Sequence, residues 1–473
     1  MAKPTLQTVV QTLRDRLYKK AEQEAMQILQ SNPLSTQAWV YLGEALIKQG
    51  FGQAARKVFN RASLLDPQAI WVDKVHSALS HVEDGVIRPA VERLLAVKQV
   101  TVAAAIMTRN EARCIDRCIR SLLDAVDEII VLDSGSTDGT LEILAQFPQV
   151  KVLYDVALED DFAGKRNKGL AHMESDWVLW VDADEWLMEE DVSAIREVAG
   201  LFHDAMLPPV LNICQVNYIQ NHITYEYSMP RLFQLRRQLM YDGRVHEQVV
   251  VKGQGMFESA TIRHAVRVRL HHDGYEPHIM EEKTKLNRNL GLLRRMVEEE
   301  PNNPGWLLYY GREMLGHGDV DEALRILLEA EQKALKVPNF GRMLDIHQYL
   351  IKIYYSRQEY EAAHAVCQRS LDIHPNYPDA LFWSAQIQMR QAVLLLQKSE
   401  KELNKSKESF STYRGIVTAD RQILEWKADL ALADLAQLSG KQGAAIERYE
   451  QVLNKHPELE QVKRKLGKLK SST

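Results

Sequence analysis

The chain has 473 residues, 45% of them hydrophobic and 26% charged, with a formal net charge of -5 at pH 7. A chain of this length exceeds the usual size of one hydrophobic core, so we expect two or three domains. The acidic balance argues against a nucleic-acid partner, because such binders need a dominant basic face.

The first residues lead into a polar helical pattern, and a run of about 18 apolar residues occurs nowhere, so we expect a cytoplasmic protein with no transmembrane segment. The four cysteines, Cys114, Cys118, Cys214 and Cys367, are too few and too scattered for a disulfide framework or a structural zinc site. They are predicted to pack as small apolar side chains.

Residues 1–95 are predicted to be helical, because their apolar positions recur at helical spacing. Seven of them follow the offsets of the 34-residue tetratricopeptide repeat, namely Trp39, Leu42, Gly43, Ala55, Phe59, Ala62 and Pro67. Repeats of this kind predict a protein partner or self-association, or else a brace for the next domain.

Residues 100–280 follow a different pattern. Short apolar runs at 102–107, 128–133, 151–154 and 177–181 alternate with helical segments, which predicts a parallel α/β sheet. Polar clusters follow three of these runs, at 108–111, 133–139 and 182–185. Since ligands bind beyond the carboxyl ends of parallel strands, we expect the three clusters to meet at one edge of the sheet.

The third cluster contains Asp182 and Asp184, one residue apart at the end of a buried strand. Hard carboxylate oxygens of this kind suit Mn²⁺ or Mg²⁺ bound together with substrate phosphates. The sequence has neither the Gly-Lys-Ser/Thr of a phosphate-binding loop nor a Gly-x-Gly-x-x-Gly after the first strand, which argues against the common nucleotide folds.

Residues 281–473 return to the helical pattern, with repeat-like offsets at Gly311, Ala323, Leu327, Ala330, Ala363, Ala445 and Tyr449. The stretch 397–411 is rich in Lys, Glu and Ser and is predicted to be a solvated helix.

The ordered motifs of the middle region resemble the family 2 glycosyltransferases. They are Thr108-Arg109-Asn110-Glu111, the run 131–140 around Asp133-Ser134-Gly135, Arg166-Asn167-x-Gly169-Leu170 and Asp182-Ala183-Asp184. The later motifs Arg231-Leu232-Phe233, 243–247 and His272-Asp273-Gly274-Tyr275 resemble a bacterial subgroup of lipopolysaccharide-core glucosyltransferases and sublancin-type S-glycosyltransferases. The resemblance implies a GT-A domain, Rossmann-like and nucleotide-sugar-binding, flanked here by tetratricopeptide repeats.

The resemblance also implies roles for single residues. Positions that contact the nucleotide sugar match Thr108, Asn110, Glu111, Asp133, Ser134, Arg166, Asp182 and Arg231. Asp184 matches the metal ligand, with Asp182 facing the ribose or the metal and His272 completing the metal or diphosphate site. For Arg231 a structural salt bridge is an equal alternative to a diphosphate contact.

Glu247 is the candidate base that takes the acceptor proton, because one-step inversion needs a carboxylate opposite the leaving group. His246 would orient it or act in its place, and Asp242 competes by proximity. Trp177 and Trp180 are expected in the core, while Trp186 would border the pocket.

These observations predict a metal-dependent, inverting glycosyltransferase. The expected donor is a UDP-sugar, and the acceptor is a glycan, a lipid-linked glycan or a protein. The alternatives are a repeat-based interaction scaffold with an inactive nucleotide-binding domain and a nucleotidyltransferase. The nucleotidyltransferase alternative is disfavoured, because the glycine- and lysine-rich motif expected at the start of such a domain is missing.

Overall fold

A computed structural model describes residues 3–154, 161–219, 222–255, 260–273, 282–338 and 340–471. The chain divides into two compact units, residues 1–341 and 342–473. The boundary predicted near residue 280 lies outside the described residues, as do Gly274 and Tyr275 of the last motif. The predicted class, an α/β domain between helical arms, is confirmed.

The N-terminal arm consists of six helices, as the apolar spacing predicts. They are α1 (Leu6–Arg14), α2 (Tyr18–Ser31), α3 (Thr36–Ile47), α4 (Gly52–Leu65), α5 (Val72–Leu79) and α6 (Pro89–Leu95). Helices α3 and α4 pack so closely that a Cβ on Gly43 would lie 2.5 Å from the Phe59 ring. Only glycine allows this approach, which explains its place in the repeat pattern.

The middle region forms an eight-stranded sheet in the order β3-β2-β1-β4-β7-β6-β10-β5. The strands are β1 (Val102–Thr108), β2 (Glu128–Asp133), β3 (Val150–Tyr154), β4 (Trp177–Asp182), β5 (Glu185–Leu187), β6 (Pro209–Ile219), β7 (His222–Gln234) and β10 (Ile262–His272). A separate hairpin contains β8 (Leu239–Asp242) and β9 (Gln248–Val251).

The prediction of a parallel sheet holds for half of it. Strands β1 to β4 are parallel, whereas β7 is antiparallel to β4, β6 is antiparallel to β7, and β10 is antiparallel to β5. The other half, which contains β6, β7 and β10, was not predicted, because buried polar side chains and register shifts interrupt the alternation of apolar and polar residues along these strands.

Four helices cover the sheet, α7 (Ile115–Leu122), α8 (Thr140–Leu144), α9 (Phe162–Leu170) and α10 (Val192–Phe202). Trp177 packs on one face and Trp180 on the other, both fully buried as expected. Burial on both faces is the usual condition of parallel strands.

The N-terminal arm packs directly on this domain. Arg61 of α4, 2% exposed, donates to Glu197 of α10 at 2.6 Å, and His264 of β10 donates to the carbonyl of Leu65 at 2.8 Å. Arg267, also on β10, donates to Ser63 Oγ at 2.5 Å. These contacts favour the bracing role among the alternatives that the repeat pattern left open.

The C-terminal region is helical. Unit 1 ends with α11 (Glu282–Glu299), α12 (Pro304–His317) and α13 (Val320–Ala334), and unit 2 contains α14 (Met343–Ser356), α15 (Tyr360–Ile373), α16 (Pro378–Glu408), α17 (Ala428–Leu438), α18 (Gln442–Lys455) and α19 (Glu460–Ser471). A Cβ on Gly311 would lie 2.7 Å from Leu327, as expected for a repeat-like hairpin of α12 and α13. In the described residues, none of the helices has the length and apolarity to cross a membrane.

Candidate active site

The three polar clusters meet at the carboxyl ends of β1, β2 and β4, as predicted. Thr108 pairs in register with Asp133, and Met107 pairs with Asp182. Because the three strands are adjacent and parallel, their final residues form one row. The row places Thr108, Asp133 and Asp182 side by side.

The loops after β1 and β2 are joined by hydrogen bonds. The Asn110 N–H donates to Ser136 Oγ at 2.9 Å, and Asn110 Oδ1 accepts from the Thr137 N–H at 2.8 Å. Asn110 has a left-handed backbone with φ of 59°, a conformation that asparagine tolerates better than most residues. The Glu111 N–H donates to Thr140 Oγ1 at 2.9 Å, so both predicted site residues hold the loop in shape.

Asp133 shapes the loop that follows it. Its buried carboxylate accepts from the N–H of Gly135 at 3.1 Å and of Ser136 at 3.0 Å. Ser134 Oγ accepts at 3.1 Å from the ammonium group of Lys165 on α9. Sequence reasoning missed this buried cation, although it directly precedes the motif that begins at Arg166.

Asp182 is held by two arginines. Arg231 grips both of its carboxylate oxygens, with Nη1 at 2.9 Å from Oδ1, and Arg166 Nη2 donates to Oδ1 at 3.4 Å. Burial alone would raise the pKa of Asp182, but the two guanidinium groups hold that pKa well below its usual range. Asp182 is therefore a carboxylate, and the forked contact of Arg231 matches the salt-bridge alternative.

Glu185 completes the turn and was not predicted as a site residue. Its carboxylate is fully buried, accepts from the Asp182 N–H at 2.8 Å and from Gln215 Nε2 at 2.5 Å, and lies 3.8 Å from Arg231. Burial is the largest cause that raises its pKa. Its position at the end of the Asp-Ala-Asp-Glu run is the one sequence signal that marks it.

Asp184 and His272 face each other beyond this turn. His272 Nε2 lies 3.3 Å from Asp184 Oδ2, and Nδ1–H donates to Asn217 Oδ1 at 2.7 Å. Burial lowers the pKa of His272, but the Asp184 carboxylate outweighs it and raises the pKa overall. The residues come together from the turn between β4 and β5, from β6 and from β10, which are distant in sequence.

This pair has the chemistry of a divalent-cation site. A carboxylate oxygen and an imidazole nitrogen point at each other, and the second ring nitrogen is oriented by an amide oxygen, as in many metal-bound histidines. In the described part of the chain, however, no three His, Cys, Asp or Glu side chains are arranged to hold a metal. A ligand set that includes Asp182 stays a prediction.

The three candidates for the base, Glu247, His246 and Asp242, have different surroundings. Glu247 accepts from Arg166 Nε at 2.7 Å, within the network around Asp182. His246 lies 2.9 Å from Glu313 of α12 and stacks on Tyr309 at 4.9 Å. Asp242 is half-buried, and burial, followed by the charge of Glu300, raises its pKa.

Trp186 lies on the sheet face opposite to Glu185, since neighbouring strand residues alternate. It stacks on His271 with 4.9 Å between ring centroids, and the Arg117 guanidinium covers it at 3.5 Å. His271 Nδ1 is 2.7 Å from the hydroxyl of Tyr218. The Trp186 ring is therefore in contact with His271 and with Arg117.

Two cavities lie beside the domain. One, of about 460 Å³, separates the repeats from α10 and is remote from the strand ends. The other, of about 260 Å³, lies between α9, the 240–244 segment and α11–α12, with Asp161, Asp242 and Trp306 in its wall.

The sequence matches two family models. The model of glycosyl transferase family 2 matches residues 104–251, which contain the strand-end row, and a tetratricopeptide repeat model matches residues 13–70. Both matches agree with the resemblance stated from the motifs.

Among known proteins, the SPbeta prophage-derived glycosyltransferase SunS of Bacillus subtilis (strain 168) is 30% identical over 262 residues, 55% of this chain and 60% of SunS. The chain thus spans less than two thirds of that relative's length. An uncharacterized glycosyltransferase of Rickettsia bellii is 39% identical over 89 residues, 19% of this chain and 29% of the relative. A crystal structure of S. aureus TarS 1-349 in complex with UDP-GlcNAc is 13% identical, with a TM-score of 0.33 over 62% of this chain and 92% of TarS 1-349.

Proposed function

Because residues 104–251 match the glycosyl transferase family 2 model and residues 13–70 match a tetratricopeptide repeat model, we propose that this protein transfers a sugar from a nucleoside diphosphate sugar to an acceptor, with inversion and with help from Mn²⁺ or Mg²⁺. UDP is the nucleotide we expect, and the acceptor is a glycan, a lipid-linked glycan or a protein.

One observation supports this proposal most strongly. The row of Thr108, Asp133 and Asp182 at the strand ends lies beside the buried cations Lys165 and Arg166. Within the described residues, Thr108 Oγ1 and Arg166 Nη1 are buried without a hydrogen-bond partner. Buried polar groups are normally satisfied, and a bound nucleotide offers acceptors of the kind that they need.

The donor would lie along this row. Thr108 and Asp133 would hold the nucleoside, and Lys165 and Arg166 would face the diphosphate, whose negative charge they complement. Asp184 and His272 would hold the metal ion, which as a Lewis acid neutralises the charge of the departing diphosphate. Arg231 and Glu185 would keep the Asp182 turn in place without touching the substrate.

The proton of the acceptor needs a base on the opposite side of the sugar. Glu247 is the carboxylate that we assign to this role, because Arg166 holds it beside the proposed donor row. His246 would help to position Glu247 and would not be the base itself, since its ring is directed to α12.

The experiment is a turnover assay with a panel of nucleotide sugars and candidate acceptors, with and without Mn²⁺ or Mg²⁺. The wild type is expected to release nucleotide from one donor in a metal-dependent way, and Asp184→Ala is expected to lose this activity. Nucleotide binding without turnover of any donor would favour the scaffold alternative instead.

A further inference from the structure

The segment between β8 and β9, residues 243–247, is enclosed by helices that follow the matched domain. Val245 is buried in one hydrophobic cluster with Leu293 and Met296 of α11 and with Trp306 and Tyr309 of α12. The domain match ends at residue 251, so α11 and α12 contribute to the surroundings of this segment from outside it.

Gly243 shows how tight this enclosure is. Its φ of 97° favours glycine, and an added Cβ would lie 2.5 Å from the Trp306 ring. The path of the segment is therefore determined by contact with α12.

His246 is fixed from the same helix. Its backbone is left-handed, with φ of 55°, an uncommon conformation that histidine adopts more readily than most residues. The ring stacks on Tyr309. Its Nε2 lies 2.9 Å from Glu313 Oε1 and 2.8 Å from Arg312 Nη2, which also lies 3.1 Å from the same carboxylate oxygen.

The next residue, Glu247, faces the proposed donor row. It accepts from Arg166 Nε at 2.7 Å, and the Arg166 guanidinium lies 4.7 Å from the Trp180 ring and 5.2 Å from the Tyr241 ring. Arg166 also reaches Asp182. A continuous chain of contacts thus connects α12 to the strand-end row.

We propose that Glu313 is a positioning residue for sugar transfer. By holding His246 in its left-handed conformation, it places the Glu247 carboxylate against Arg166, and so the helical segment after the family 2 domain completes the transferase site. This inference rests on the proposed function.

The test compares the steady-state kinetics of the full chain and three variants, with melting temperature as the control of folding. Glu313→Ala removes the contact to His246, so we expect kcat to fall by about 10-fold or more with the donor KM within about 2-fold, since misplaced catalytic groups cost rate. Glu313→Gln still accepts a hydrogen bond and should keep kcat within about 3-fold. Glu322→Ala, which removes an exposed partner of Arg325 on α13, should leave both constants unchanged.

An unchanged kcat in Glu313→Ala, or a kcat in Glu313→Gln as low as in Glu313→Ala, would overturn the inference while the proposed function stands. If Glu313→Ala does not fold, His246→Ala replaces it, because alanine loses the contact with Glu313 and disfavours the left-handed backbone; the same fall in kcat is then expected, and its absence contradicts the inference. A wild type with no turnover of any donor overturns the proposed function itself.

Discussion

The two halves of the sheet contribute to the candidate site in different ways. Strands β1, β2 and β4 bring Thr108, Asp133 and Asp182 together through their parallel register. The mixed half supplies buried side chains around the turn after β4. Arg231 on β7 holds Asp182, Gln215 on β6 holds Glu185, and His272 on β10, itself held by Asn217 on β6, faces Asp184. The parallel half sets the row, and the mixed half holds the carboxylates of the 182–185 turn.

The first prediction removes the strongest support from the mixed half. Arg231→Met leaves the buried Glu185 and the partly exposed Asp182 without their main cation, so we expect the free energy of unfolding to fall by about 3 kcal/mol, the lower end of the cost of breaking a buried ion pair. Chemical denaturation measures this. Arg231→Lys keeps the positive charge but loses the forked guanidinium contact, so its free energy of unfolding should lie between those of the wild type and Arg231→Met. A loss below about 1 kcal/mol in Arg231→Met would show that the mixed half does not hold the turn.

The second prediction concerns the orientation of His272. Asn217→Leu removes the oxygen that accepts from Nδ1–H, and we expect Mn²⁺ affinity to weaken by about 10–100-fold. Calorimetric titration of Mn²⁺ in the presence of UDP reports it. Asn217→Asp keeps an acceptor oxygen and is the matched control, so equal weakening in both variants would contradict the orienting role.

The third prediction tests how far the mixed half depends on the repeats. Gly43→Val forces α3 away from Phe59 of α4, and overpacking of this kind costs about 1–3 kcal/mol. Because α4 contacts β10, hydrogen exchange should rise in 262–272 more than in 102–108. Gly291→Ala, where an added Cβ meets nothing within 4 Å, serves as the control. A uniform rise over both strands would remove the distinction between the halves.

The same division explains what could be predicted from the sequence. Each of the strands β1 to β4 is a short apolar run, and the rule that ligands lie at their carboxyl ends brought Asp133 and Asp182 together correctly. Strands β6 and β7 carry Gln215, Asn217 and Arg231 at buried positions, so their hydrophobic pattern is broken by the residues that support the site.

Side-chain partners lay further beyond sequence reasoning. That Asp184 faces His272, while Asp182 is gripped by Arg231, depends on the order β4-β7-β6-β10. That His246 is directed to Glu313 depends on helices after the domain. Neither pairing has a signal in local spacing.

The central claim is that the strand-end row binds a nucleotide together with a metal ion at Asp184 and His272. Its most direct test is calorimetric titration of UDP into the wild type and Asp184→Asn, with and without Mn²⁺. We expect Mn²⁺ to strengthen UDP binding by about 10-fold or more in the wild type and to have no effect in Asp184→Asn, whose metal-free affinity for UDP is retained. An equal effect of Mn²⁺ on both proteins, or no UDP binding to the wild type, would contradict the claim.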